Sequence, residues 1–157
     1  MSQWVADYRR VDDEALNHVA DTMRPSDALE VYLTAGHSPI EALRYSVEKS
    51  HFSTAVWINE TPCAILGLYV PDVLTGWGVP WLLSSQDALQ YRRAFIQQAA
   101  PVIEAMLDIT PKLRNHVHVA NNLSVAWLKR IGFKMLPAVE FGVAKAPFYP
   151  FEMICHV

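Results

Sequence analysis

Cysteine is scarce: Cys63 and Cys155 are the only two in 157 residues. They form no Cys-x-x-Cys pair and no third or fourth ligand joins them in pattern, which excludes a sequence-evident zinc site or redox motif. Both lie in apolar, strand-like segments, so buried free thiols are expected, with a disulfide between them left open. Excess charge of one sign is also lacking. The formal net charge is -3, with Lys and Arg spread along the chain. No basic stripe can neutralise phosphates, and nucleic acid is not expected as a partner. Apolar runs are short: the longest, such as Cys63 to Val70, falls far below the ~20 residues of a membrane helix. The polar start Met1-Ser2-Gln3 is no signal peptide, so a soluble protein without a membrane span, made in a cytoplasm, is expected. Repeats, low-complexity tracts and linkers are missing. So are the Gly-x-Ser-x-Gly elbow, the Gly-Lys-Ser/Thr phosphate loop and His-Glu-x-x-His.

What the chain has is apolar mass. Hydrophobic residues make up 52% and charged residues 18%, enough to bury a full core and too little polarity for disorder. One domain spanning 1–157 is expected, since a single core organises roughly 100 to 200 residues.

The elements follow in a readable order. Trp4 to Arg10 predicts a strand. Asp12, Asp13 and Glu14 then place negative charge at a helix start, and Leu16, Val19, Ala20 and Met23 form its apolar stripe until Arg24-Pro25. Ser26 is expected to cap a second helix running through Leu29 and Leu33 to Gly36. Ser38-Pro39-Ile40-Glu41 is a capping box with proline at the first helical position, and Ile40, Leu43 and Val47 give that third helix its buried face. Thr54 to Ile58, a turn at Asn59 to Pro62, and Cys63 to Val70 read as a hairpin stopped by Pro71-Asp72. Gly76 to Ser84 is a further strand in which Pro80 marks a bulge or a missing ladder bond. Gln86 to about Leu107 predicts the longest helix, kinked at Pro101. Leu113 to Val119 is a strand, Asn122 to Ile131 a helix, and the tail supplies strands around Val139 to Ala144 and Phe148 to Val157. This order argues for an α/β sheet covered by helices.

Asn121, Ser124, Trp127, Leu128, Gly132 and Phe133 sit at the spacing Asn-x-x-Ala/Ser-x-x-Leu-Tyr-x-x-x-Gly-Phe, and with the element order they resemble an N-acetyltransferase (GNAT) domain. The resemblance covers nearly the whole chain. It implies a single domain with a mixed, mostly antiparallel sheet and helices on both faces. A narrower block, Trp81, Ser84, Ser85, Asp87, Arg93, Phe95, Asn115, Val117, Asn121, Leu128, Lys129, Ile131 and Gly132, is similar to GNAT-like internal virion or head-core proteins of short-tailed bacteriophages. That likeness implies a virion or assembly component, located in the virion or the bacterial host cytoplasm, with other phage or host proteins as partners and homo-oligomerisation left open.

As cofactor, the GNAT resemblance implies acetyl-CoA. Its pantetheine arm would run along Trp81, Leu82 and Leu83, with Ser84 and Ser85 beyond them and Asn121 and Ser124 opposite, although the plainer reading of Asn121 is a helix N-cap. Two departures weaken an enzymatic reading. The junction Leu83-Ser84-Ser85-Gln86-Asp87-Ala88-Leu89 has none of the glycines that let backbone amides converge on a pyrophosphate, and Asp87 is placed to take the anion's niche at the helix start. Leu128 stands where many members carry a Tyr that protonates the departing thiolate. No catalytic residue is assigned. His116 and His118 share one face of a strand, but no third ligand accompanies them, so no metal is expected. Glu60 and Asp72 read as solvated loop carboxylates. Phe141, Phe148, Tyr149 and Phe151 either close the core or form an edge for docking.

Overall fold

A computed structural model describes residues 6–155. The helices start where the local chemistry asks. Asp12 accepts from Ala15 N at 2.9 Å to open α1 (Asp13–Asp21), and Ser38 and Glu41 exchange the two bonds of the capping box at the head of α3 (Pro39–Lys49). Between them lies α2 (Pro25–Ala35), closed by Gly36 in the left-handed conformation. Strand β1 is described over Ala6–Arg9, while Trp4 and Val5 of the expected strand lie outside the described residues. The hairpin β2 (Phe52–Ile58) to β3 (Thr61–Asp72) turns at Asn59-Glu60, both with positive φ, the arrangement that matches strand twist. Strand β3 continues through Pro71 to Asp72 instead of stopping there.

After β4 (Trp77–Ser84), the long helix comes in two pieces: a 3-10 helix at Gln86–Tyr91, then α4 (Arg92–Ile109), which runs through Pro101. The expected single helix breaks because Ser84 to Gln86 are tied back to the α1–α2 connection. Arg24 N donates to Ser84 O, Gln86 N donates to Thr22 O, and the chain turns tightly with Ala88 N on Ser85 O. Strand β5 (Lys112–His118) and α5 (Asn122–Ile131) follow. The tail forms β6 (Lys134–Met135), β7 (Val139–Phe141) and β8 (Ala146–Ile154). Two residues of β6 are too few to show a period. The expected strand to Ala144 gives way to a turn at Gly142 to Lys145, where both ends have positive φ.

The eight strands among the described residues make one sheet in the order β1-β2-β3-β4-β5-β8-β6, with β7 also on β8. All pairs are antiparallel except β4 with β5. Alternation along β2 sends Ala55 and Trp57 into a core with α1 and α3, and Val56 and Ile58 into a second core with α4 and α5. Cys63 is buried, as expected; Cys155 is exposed beyond the end of β8, and neither forms a disulfide. No described helix is long and apolar enough to cross a membrane.

One helix is turned the other way from its sequence pattern. In α2 the buried residue is Asp27, 4% exposed, while Leu29 is 46% and Tyr32 63% exposed. Ser26 does not cap it; the cap position is Arg24, without a side-chain bond, followed by Pro25. The face that α2 turns inward carries charge because of what it meets in the sheet.

Candidate active site at the gap between β4 and β5

Strands β4 and β5 pair only at Trp77 with Lys112 and at Gly78 with Leu113, and diverge beyond. A diverging pair leaves backbone groups that need other partners. Because Ser85 N bonds Cys63 O across to β3, alternation points the backbone of Gly78, Pro80, Leu82 and Ser84 into the gap. This explains proline in a central strand: Pro80 has no N–H at the place where β5 has withdrawn. Its carbonyl accepts from Asn115 Nδ2 at 2.8 Å, and Asn115 Oδ1 accepts from His116 N at 2.7 Å. Farther out, Asp27 Oδ2 accepts from Ser84 N at 2.9 Å and Ser84 Oγ at 3.1 Å. Glu30 Oε1 accepts from His118 N at 3.0 Å on the opposite strand. Between these stations, Leu82 keeps an N–H and a C=O turned into the gap.

One turn of α2 thus closes the wide end of the gap with two carboxylates, joined by a network. Arg24 reaches Asp27 at 3.5 Å, Asn121 Oδ1 at 3.3 Å and Ser124 Oγ at 3.4 Å. Asn121 caps α5 by accepting from Ser124 N, and its Nδ2 donates to Glu30 Oε1 at 2.9 Å. Both bonds to Glu30 fall on Oε1, leaving Oε2 without a hydrogen bond among the described residues. Burial pushes the Glu30 carboxyl up to about 7, against the opposing pull of Asn121 and the His118 amide. Burial also raises Asp27, with Arg24 and Ser84 opposing it. Arg24 lies beside these two buried carboxylates and offsets part of their charge.

A cavity of about 830 Å³ passes through the sheet here. On one side it is walled by α2 and α3, with Tyr45 and Trp81, and on the other by α4 and α5, with Phe95 and Leu128; Glu30 and Asn115 line it. Such a passage can hold an extended arm on one face and a second reactant on the other.

The sequence-derived candidates fall into distinct places. Only Leu82 of the Trp81-Leu82-Leu83 run offers its backbone to the gap. Trp81 donates from Nε1 to Ser50 Oγ at 2.7 Å and covers Gly67, where a Cβ would lie 2.7 Å from its ring. Leu83 is in the core with α1 and α3. Ser84, Asn121 and Ser124 come together through Arg24 and Asp27. Ser85 is fully buried, and its Oγ has no hydrogen bond among the described residues. Sequence reading missed Arg24, Asp27 and Glu30. Their spacing of three along α2 was the available signal, since it stacks three charges on one helix face.

The junction after β4 does not form an anion nest. The Ser85, Gln86 and Ala88 amides are used by Cys63 O, Thr22 O and Ser85 O. Asp87 does not take those amides, contrary to expectation; it reaches His18 Nε2 at 3.4 Å. Leu128 is buried and offers no proton. His116 stacks on Phe141 with centroids 3.7 Å apart, and His118 meets Phe148 edge-on. Among the described residues no group of side chains could hold a metal ion. Glu60 is an exposed carboxylate that pairs with Arg9, and Asp72 accepts from Leu74 N in a turn.

No protein-family model matches this sequence, and no curated protein sequence does. Solved structures do match. Spermidine N-acetyltransferase from Vibrio cholerae, in complex with CoA and spermine, is similar at TM-score 0.69 and 12% identity, over 95% of each chain. An aminoglycoside acetyltransferase in complex with coenzyme A is similar at TM-score 0.69 and 11% identity, over 96% of this chain and 95% of that one. A chain of the NatC complex, bound to Gag peptide and CoA, reaches TM-score 0.71 at 11% identity, over 99% of this chain and 100% of that one. At such identities the likeness is one of fold, and the fold is that of the GNAT acetyltransferases.

Proposed function

We propose that this chain is an acyl-CoA-dependent N-acyltransferase acting on an amine, with Glu30 as its general base. The observation that carries the reading is the passage through the sheet at the β4–β5 gap, where Glu30 keeps one carboxylate oxygen unengaged. A thioester arm lying along β4 finds the open N–H and C=O of Leu82. An ammonium group entering from the α2–α3 side meets Glu30 Oε2, gives up its proton there, and attacks the thioester carbonyl as the free amine. The C–N bond forms, the C–S bond breaks as the thiolate leaves, and the new amide nitrogen sheds its second proton to water. With Leu128 in place of an acid, the thiolate takes its proton from water, which is tolerable because positioning supplies most of the acceleration and a thiolate is a fair leaving group. CoA-bound neighbours of the same fold support the reading. The occupied amides after β4 do not fit the family's usual hold on a pyrophosphate, so the arm contributes more of the binding here than the phosphates.

The test is acetyl transfer from acetyl-CoA to a panel of primary amines, followed by thiol release. Glu30→Gln should lower kcat/KM by roughly 100-fold or more, and the rise of the wild-type rate through pH about 7 should disappear. An unchanged rate in Glu30→Gln removes Glu30 from the mechanism.

A second reading is favoured by Leu128 and by the internally used amides: a GNAT-fold virion or assembly component that has lost transfer and acts through protein contacts. Absence of CoA binding at millimolar ligand, together with copurification with phage particles, selects it over the enzyme.

A further inference from the structure

The inward side of α4 does not fill the space beneath it. Ala99, Val102, Ile103 and Met106 stand at the spacing that puts them on one helix face. All four line the cavity, and Val102 and Ile103 are only half-buried although they pack toward the core. Below them the sheet supplies a floor without charge: Leu82 on β4 lies beside Leu66 on β3, and Val56 on β2 lies beside Tyr8 on β1. From β4 to β1 this chamber crosses three strand spacings, about 14 Å, the length of an extended alkyl chain of about ten carbons. Its far end is closed where Tyr8 Oη donates to Gln98 Oε1 at 2.8 Å and so joins β1 to α4. Its near end opens beside Leu82 and Leu128, at the gap between β4 and β5.

We infer that this chamber holds the alkyl chain of a medium-chain acyl group, about eight to twelve carbons long, carried into the protein as its acyl-CoA thioester. The inference rests on the acyl-CoA reading and names the donor. An acetyl group occupies only the mouth of the chamber and leaves its apolar walls facing water. A longer chain covers them, and each methylene taken out of water favours binding. The need for that contribution is visible at the other end of the donor, since the Ser85, Gln86 and Ala88 amides are already used and give a pyrophosphate little hold. The thioester carbonyl stays at the gap, in reach of the amine on the α2–α3 side, while the tail turns back beneath α4 toward Tyr8.

The test is a series of straight-chain acyl-CoA donors from acetyl to tetradecanoyl, each below its micelle concentration, with the same panel of primary amines. For the wild type kcat/KM should rise by roughly two- to fourfold for each methylene from butyryl to decanoyl, then fall once the chain reaches Tyr8. Ala99→Leu, which extends a side chain into the chamber, should cut the preference for decanoyl over acetyl by about tenfold or more. A series that is flat or falls from acetyl onward, or an unaltered preference in Ala99→Leu, overturns the chamber and leaves the transferase reading standing. If no donor is used, the transferase reading falls, and calorimetric titration with decanoyl-CoA and acetyl-CoA decides the chamber. Tighter binding of decanoyl-CoA that Ala99→Leu abolishes supports it, and equal affinities overturn it. Should Ala99→Leu fail to fold, the methyl resonances of Val102 and Met106 in the wild type decide. Decanoyl-CoA must shift them well beyond the effect of acetyl-CoA, and resonances unmoved at saturation overturn the inference.

Discussion

Glu30 ties the charge state of one side chain to the stability of the protein. Burial pushes its carboxyl up to about 7 in the folded protein, from an ordinary value of 4.5. The folded state therefore binds this proton more tightly than the unfolded chain does. Stability from this group is fully present below the unfolded value and is lost as pH rises toward the folded one, by up to on the order of 3 kcal/mol. Glu30→Gln keeps an acceptor for His118 N and Asn121 Nδ2 but does not titrate. In thermal melts at pH 5, 6.5 and 8, the wild type should lose stability relative to Glu30→Gln as pH rises; parallel curves would remove the shift. This residue was hidden in the sequence because a carboxylate on a short amphipathic helix is usually solvated. Hydrophobic patterning in general favours residues such as Leu29 and Leu33 for the inward face of a helix. What overrode it was the set of unpaired strand ends at Ser84 and His118, which no local pattern announces. The capping role of Asn121 was legible; that its Oδ1 also accepts from Arg24 while Nδ2 reaches Glu30 across the gap was not, because both partners lie far away in sequence.

The position of α2 depends on the tip of the β7–β8 hairpin. Val143 N and Ala144 N donate to Thr34 O and Leu33 O, carbonyls that a helix C-terminus leaves free. Gly142, at φ 80°, allows this approach: a Cβ there would lie 2.6 Å from Leu33 O and 2.7 Å from Thr34 Cα. Gly142→Ala should cost about 2 kcal/mol or more, lower the melting temperature, and reduce kcat/KM by displacing the helix that holds Glu30. A variant that melts as the wild type does and retains full activity would show that the hairpin can be moved freely. Helix starts were the most legible elements, because Asp12, Ser38 with Glu41, and Asn121 each carry their capping chemistry within four residues. The break at Tyr91 and Arg92 was not legible, because it follows from bonds between Ser84–Gln86 and Thr22–Arg24, far apart in sequence.

Across the whole molecule the two sides of the sheet differ. Helices α1 and α3 close tightly on β2 and β3, where Ala15, Val19, Leu43, Ala55 and Ile65 are fully buried. The cavity passes through the β4–β5 gap and extends along α4, and among its buried residues this helix has only Ala94, Ala99 and Met106. Regions with fewer buried apolar contacts open locally at lower free energy. Hydrogen exchange should be faster in the 3-10 helix and the first turns of α4 than in β2 and β3, and acetyl-CoA should slow it; uniform protection would contradict this. The order of elements was readable along the chain, because hydrophobic periodicity is a property of neighbours. The gap was not, since it exists only where β4 and β5 fail to meet. Pro80 was its one visible trace. A sheet that opens in its middle has two interior strand edges, and unpaired edges invite segments of other chains to add themselves as strands. Pro80 removes the donor that such a strand would need, Asn115 occupies the next bonding position, and the α2 carboxylates close the far end. These features oppose the addition of a foreign strand within the sheet, and Asn115→Ala is expected to lower solubility.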